Sequence, residues 1–243
     1  TFAKDLQPKL NGRINIAMGS VLRIWHTYRE AGINDPSSAQ LPPMADLQAA
    51  AQHTDMQNLV INRDAGTVYL TDTAMSLDVG AVAKGYAVER VAQDMIAAGV
   101  TSALLSIGGN VRAIGTRGDG TAWRVNVQNP ELTAQDQGLT TLNLADLSLV
   151  TSGSYQRYYT VDGKTYHHII DPDTLMPAAY TWAVSVVTED SGLADAMSTT
   201  LYNLSIEDGK ALLANFPGVE ALWVTLDGQI VRSDGFAAMA QEE

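Results

Sequence analysis

The sequence predicts an α+β protein built on mostly antiparallel sheets with flanking helices. Three observations carry that reading. Strand-like runs outnumber helix-like ones and do not alternate with them as in a doubly wound fold. Tight-turn signals at Asp64-Ala65-Gly66, Asp162-Gly163 and Asp227-Gly228 each sit between two such runs, which is the signature of hairpins. A chain of 243 residues, 46% hydrophobic and 17% charged, is long and apolar enough to bury a substantial core.

The elements follow in chain order. Phe2–Leu10 reads as the end of a helix stopped by Asn11-Gly12. Ile14–Arg29 reads as a turn running into a helix, Asn34–Pro43 as a polar loop, and Ala45–His53 as a short helix. Leu59–Asn62 and Thr67–Leu70 form the first hairpin, and Ser76–Val79 a short strand. Val82–Ala98 places Val82, Tyr86, Val88, Val91 and Met95 on or near one helical face, with Gly99 as its stop. Ala103–Ile107 reads as a buried strand, broken by Gly108-Gly109 as a bulge or a close approach to a ligand. Strands follow at Val111–Ile114, Trp123–Val127, Leu147–Thr151, Tyr158–Val161, Thr165–Ile170 and Trp182–Thr188. Gly192–Asn203 is helical, and Ser205-Ile206-Glu207-Asp208 resembles a capping box opening a helix to Asn215. Val219–Thr225 and Ile230–Ser233 close the chain as a hairpin.

Composition narrows the function. Fifteen Lys and Arg against 27 Asp and Glu give a net charge of −12, which argues against nucleic acid as a partner. Any phosphate ligand therefore needs a local cation or backbone N–H groups. The absence of cysteine excludes disulfides, zinc–thiolate sites and thiol nucleophiles, and is compatible with an oxidising compartment. No apolar run reaches membrane-spanning length. Thr1 is not a natural initiator, so a processed or trimmed chain is expected.

Four segments carry chemistry. Ser152-Gly153-Ser154-Tyr155-Gln156-Arg157 followed by His167-His168-Ile169-Ile170-Asp171 gathers a small-residue turn, a guanidinium, two of the four histidines and a carboxylate. Such groups can bind a phosphate and move a proton. Adjacent strand residues point to opposite faces, so one histidine of the pair reaches a ligand and the other is structural. In Asp78-Val79-Gly80-Ala81-Val82-Ala83-Lys84 a helix N-terminus and a lysine offer an anion site, although an ordinary turn with a solvated lysine fits equally. Asp195 and Thr199 lie four apart on one helical face and offer the hard oxygens Mg²⁺ prefers. The plainer alternative is a helix-start Asp and a back-bonded Thr.

Taken in order, Ile14–Trp25, Leu77–Val88, Ile107-Gly108-Gly109-Asn110, Thr151–Tyr158, His167–Pro172 and Ala194-Asp195-Ala196 with Thr199 resemble the bacterial FAD:protein FMN transferases, the ApbE-like family. The resemblance implies a T-fold-like duplicated arrangement forming one flavin-transferase domain over residues 1–243, with two packed lobes. It implies Mg²⁺ held by Asp195, Thr199 and the Ala81 carbonyl. FAD would be contacted by Asp78, Gly80, Ala81, Lys84, Gly108, Gly109, Ser152, Gly153, Arg157, His168, Ile169 and Asp171. His168, favoured over His167, would move the proton, and Asp195 would serve catalysis through the metal. The implied reaction moves FMN from FAD to a threonine of an acceptor protein and releases AMP. A Mg²⁺-dependent FAD pyrophosphatase and a non-catalytic flavin-binding protein remain open alternatives at this point. Family members carry a further stretch ahead of the Ile14 segment. This chain starts after it, as a shortened member or as a trimmed chain. The resemblance also implies export to the periplasm or cell surface, with anchoring by a lost N-terminal lipid signal.

Overall fold

The computed structural model describes residues 1–240. In chain order, α1 is Phe2–Leu6, α2 Gly19–Asn34, α3 Met44–Ala51, β1 Leu59–Asn62, β2 Thr67–Leu70 and α4 Ala83–Ala97. Then come β3 Ala103–Ile107, β4 Asn110–Ile114, β5 Trp123–Gln128, β6 Gly138–Leu144, β7 Ser148–Gly153, β8 Tyr158–Val161 and β9 Lys164–His167. The chain continues through β10 Ala183–Thr188, α5 Ser191–Tyr202, α6 Ile206–Leu213, β11 Glu220–Val224, β12 Ile230–Arg232 and α7 Asp234–Met239. All pairings between named strands are antiparallel, as expected. Among the described residues no helix is long and apolar enough to cross a membrane.

Two compact units emerge. The first comprises Thr1–Gly80 and Gln156–Ala178. Its core gathers Met18, Val21, Trp25 and Leu47 with Tyr159, Val161, Ile170 and Leu175. The Trp25 indole N–H is satisfied inside that core by the Leu175 carbonyl at 2.9 Å, as a buried donor must be. β1–β2 and β8–β9 are two-stranded ribbons. The turn Asp162-Gly163 has positive φ at both residues (49° and 77°), the conformation that matches strand twist in a two-residue hairpin.

The second unit begins at Ala81, leaves at Tyr155 and resumes at Ala179. Its six-stranded sheet has the order β12-β11-β10-β7-β4-β3. All six residues of β10 are buried, in keeping with its run of Ala183, Val184, Val186 and Val187 around a buried Ser185. α5 packs on β7, β10 and α4. Ten of its twelve residues are buried, so its polar side chains depend on partners within the fold. The Asp190 carboxylate caps α5 by accepting the Leu193 N–H at 2.8 Å. Ser205 caps α6 through Asp208, as the sequence predicts. The β5–β6 ribbon contributes Val125, Val127, Leu142 and Leu144 to this unit's core.

Several expectations need correction. Ser76–Val79 is no strand; Ser76 makes only an isolated parallel bridge to Met18. β3 is not buried, because it is the last strand of its sheet and only half covered. Gly108-Gly109 is not a bulge but the two-residue turn joining β3 to β4, with φ of 56° and 89°. The strand read as Thr165–Ile170 ends at His167. β6 and α7 have no counterpart in the sequence reading, since Thr140 and Thr141 interrupt the alternation that Leu142 and Leu144 begin.

Candidate functional site

In the second unit, α4 starts without a side-chain cap of its own. Its first-turn N–H groups therefore need partners from elsewhere. Asp195, on α5 and 2% exposed, supplies one: its Oδ2 accepts the Gly85 N–H at 2.8 Å. Glycine is required at that position. A Cβ on Gly85 would lie 2.1 Å from the Ser191 carbonyl oxygen and 2.5 Å from the Asp195 Cβ. The other carboxylate oxygen, Oδ1, faces the Lys84 ammonium at 3.3 Å. The lysine stem runs beside the glycine turn, where a Cβ on Gly108 would meet Lys84 Cδ at 3.3 Å. The fold thus brings Lys84, Gly108 and Asp195 together from three separate segments.

One helical turn beyond Asp195, a chain of hydroxyls begins. Ser198 Oγ–H donates to the Asp195 carbonyl at 2.9 Å. Its single proton is then spent, so the 2.8 Å contact between Ser152 and Ser198 has Ser152 as donor. Ser152 can in turn accept from Thr199 Oγ1 at 3.3 Å. In this direction Thr199 spends its proton inward and keeps lone pairs for a cation. Thr199 and Ala81 are both half-buried. Among the described residues no three His, Cys, Asp or Glu side chains gather as a metal cluster. Any cation site on α5 is therefore a one-carboxylate site completed by neutral oxygens. Mg²⁺ accepts that donor set, because it keeps waters and substrate phosphates in its shell.

Gly153 belongs to β7 rather than to a turn. It lies in β7 opposite Ala183, and the Tyr155 ring occupies the space above it, 2.3 Å from where a Cβ would stand. Two buried polar atoms nearby in sequence lack a hydrogen-bond partner: Asn110 Nδ2, directly after the glycine turn, and Ser191 Oγ at the start of α5.

The first unit holds the histidine pair. His167 is buried, bonded through Nε2 to the Ala178 carbonyl at 2.8 Å, and its Nδ1 accepts the Ile169 N–H at 3.3 Å. Both ring nitrogens are engaged, which makes it the structural member of the pair. His168 is half-buried. Its Nδ1–H donates to the Arg157 carbonyl at 3.3 Å, which leaves Nε2 as the nitrogen with a free lone pair. Burial pushes the His168 pKa down to about 4, and the charges of Arg157 and Arg29 and the neighbouring His167 add to that direction. His168 is therefore neutral at pH 7. Burial lowers the His167 pKa too.

Of the remaining candidates in this unit, Asp171 serves structure. It is 2% exposed, and its Oδ1 accepts from Arg13 at 3.2 Å and from the Asp173 N–H at 2.8 Å. The Ile169 side chain is buried, and its carbonyl accepts the Ala178 N–H at 3.0 Å. Asp78 is exposed and turns the chain toward Ala81 by accepting the Gly80 N–H at 2.7 Å. The sequence reading missed Glu89, Arg112 and Ser198. The signal available for Glu89 is its place on the buried stripe of α4 with Gly85, Val88 and Ala92.

The family model described as ApbE family matches residues 1–223. A curated relative named FAD:protein FMN transferase, from Treponema pallidum, is 34% identical over 242 residues, covering 93% of this chain and 64% of the relative. A protein of the same name from Klebsiella pneumoniae is 33% identical over 232 residues, with coverages of 95% and 69%. This chain therefore spans roughly two thirds of the length of these relatives. The crystal structure of the ApbE protein of Thermotoga maritima superposes with a TM-score of 0.85 at 29% identity, covering 99% of this chain and 76% of that one. The apo form of the Pseudomonas stutzeri flavinyl transferase ApbE gives 0.79 at 28% identity, with coverages of 100% and 73%.

Proposed function

This chain belongs to the ApbE family, and from that premise we propose that it is a transferase using Mg²⁺ to move FMN from FAD to a threonine hydroxyl of an acceptor protein, releasing AMP. The relatives' names support the transfer from FAD to a protein. The observation that carries the reading for this chain is the Asp195 carboxylate. It is 2% exposed, oriented by the Gly85 N–H and faced by Lys84, with the Thr199 hydroxyl one turn away.

Asp195, Thr199 and the Ala81 carbonyl would hold the metal, and the hard-oxygen donor set fits it. When bound, Mg²⁺ supplies positive charge to the diphosphate of FAD. The chain's own residues do the rest. Gly85 fixes the Asp195 carboxylate through its Oδ2 and leaves Oδ1 for a cation. Lys84 offers a charge to a phosphate oxygen, and its pairing with Asp195 keeps it in place until a ligand arrives. Phosphoryl transfer depends mostly on such positioning and charge. The acceptor hydroxyl oxygen bonds to the FMN-side phosphorus. The bond from that phosphorus to the AMP oxygen breaks, and AMP keeps the electron pair. His168 Nε2, neutral at pH 7, takes the hydroxyl proton. The same reading places the protein on the exported side of a bacterial cell, with a lipid anchor. That its relatives are bacterial supports a bacterial origin and no more of this placement.

The test is incubation with FAD and Mg²⁺, with and without a threonine-bearing acceptor, following AMP by chromatography and the acceptor by intact mass. AMP release that requires the acceptor and adds FMN to it is the expected result. Equal AMP release without the acceptor identifies a pyrophosphatase instead. Asp195→Ala should abolish the reaction, and near-normal turnover of that variant at saturating Mg²⁺ would sink the metal assignment.

A further inference from the structure

We propose that Glu89 is a positioning residue for Asp195, acting through a reciprocal pair of carboxylate caps between α4 and α5. The proposal rests on the reading of Asp195 as a metal ligand.

The two helices meet at their first turns, where each has N–H groups that its own helix cannot satisfy. α5 lends Asp195 to the Gly85 N–H of α4 at 2.8 Å. α4 lends Glu89 to the Ser191 N–H of α5 at 2.9 Å. Ser191 is the first residue of α5, and Asp195 follows one turn later. The two bonds close a ring through both helices, so a shift of the α5 start relative to Glu89 moves Asp195 relative to Gly85. The ring is tight, because Gly85 has no room for even a Cβ against the Ser191 carbonyl.

Glu89 is itself held from behind. Its Oε2 faces Arg112 Nε at 3.3 Å, and its Oε1 accepts from Gln93 Nε2 at 2.5 Å. Its side chain is 11% exposed and that of Arg112 is 6% exposed. An ion pair buried this deeply contributes little to stability against an apolar replacement. Removing Glu89 alone would leave Arg112 buried without this carboxylate and cost stability; beyond that Glu89 supplies geometry, because the oxygen that faces Arg112 is also the one on the first amide of the Asp195 helix. Asp190 still caps α5 at Leu193, so loss of Glu89 should displace the helix start rather than melt it. Residues that orient a metal ligand from behind typically cost roughly 10–100-fold in metal affinity when changed.

The test is a calorimetric Mg²⁺ titration of the protein without FAD, on wild type, Glu89→Gln, Glu89→Asp, Val88→Ala and Asp195→Asn. Glu89→Gln keeps the side-chain shape but removes the charge. Glu89→Asp keeps a charge for Arg112, so the fold is retained, but shortens the reach to Ser191. Both should weaken Mg²⁺ binding by about ten-fold or more. In the transfer assay both should raise the KM for Mg²⁺ while the rate at saturating Mg²⁺ recovers. Val88, fully buried on the same helix, is the control for general destabilisation; Val88→Ala should lower the melting temperature and leave Mg²⁺ affinity unchanged. Wild-type affinity in both Glu89 variants would overturn the proposal, as would an equal loss in Val88→Ala. A wild type that binds no Mg²⁺, or an Asp195→Asn that binds it as well as wild type, would instead overturn the metal reading and this inference with it.

Discussion

Replacing Gly85 by alanine sets two effects of opposite sign against each other. In a helix interior, alanine is favoured over glycine by roughly 0.5–1 kcal/mol. In this fold the new methyl would stand 2.1 Å from the Ser191 carbonyl oxygen and 2.5 Å from the Asp195 Cβ. The nearer contact is main chain, so α4 and α5 must separate, and overpacking of this kind costs roughly 1–3 kcal/mol. Separation also stretches the bond from the Gly85 N–H to the buried Asp195 carboxylate, and hydrogen bonds to charged groups contribute about 1.5–3 kcal/mol. The penalty outweighs the propensity gain and leaves a net loss of roughly 2–5 kcal/mol. At about 2–4 °C per kcal/mol for a chain of this size, the melting temperature should fall by roughly 4–20 °C. Thermal melts followed by far-UV circular dichroism measure this directly. An unchanged or raised melting temperature would mean that propensity wins, and the close crossing of α4 and α5 would then be wrong.

Lys84→Ala should weaken FAD binding at low salt more than riboflavin binding, since riboflavin lacks the phosphates; equal losses in fluorescence titrations would leave Lys84 a structural role. His168→Ala should slow transfer by roughly 10²–10⁴-fold with little change in FAD affinity, and the wild-type rate should fall on acidification near the His168 pKa of about 4 rather than at an ordinary imidazole value. The same shift makes stability pH-dependent. The folded pKa lies below the unfolded value of about 6.5, so the unfolded state takes up the proton first, and stability is full above that pH and lost as pH falls toward the folded pKa. A melting series over that window should be shallower for His168→Ala than for wild type. His167, lowered in the same direction, contributes to the slope that remains.

Local signals explain what the sequence disclosed. The hairpins at Asp64-Ala65-Gly66, Asp162-Gly163 and Asp227-Gly228, the Ser205 cap and the face shared by Asp195 and Thr199 all lie within a few residues of their own cause. What stayed hidden depended on distant partners. Gly108-Gly109 suits a bulge as well as a turn, and only the pairing of β3 with β4 decides. Lys84 and Asp195 are 111 residues apart, so nothing beside the lysine announces that it pairs with a buried carboxylate. Asp171 looked available to a ligand because Arg13, 158 residues away, left no trace beside it. Glu89 drew no notice as a charged residue in a helix, although its place four residues after Gly85 puts it on the buried stripe.

Charge balance in the second unit ties the proposed metal to the proposed substrate. A chain with net charge −12 repels a diphosphate at long range. The first turns of α4 and α5 would ordinarily attract an anion, yet Asp195 and Glu89 already occupy the Gly85 and Ser191 N–H groups. Lys84 is paired with Asp195, and Arg112 with Glu89. The two cations and two carboxylates cancel, so the locus without metal holds no surplus positive charge for a phosphate. A divalent ion on Asp195 would reverse that balance and free Lys84 from its partner at the same moment. On the proposed reading, Asp195 would hold the ion, which would supply positive charge to the diphosphate, and Lys84 would then be available to a phosphate oxygen. This accounts for placing a lysine against a carboxylate that is almost completely buried, where a simple phosphate-binding site would have left the lysine unpaired.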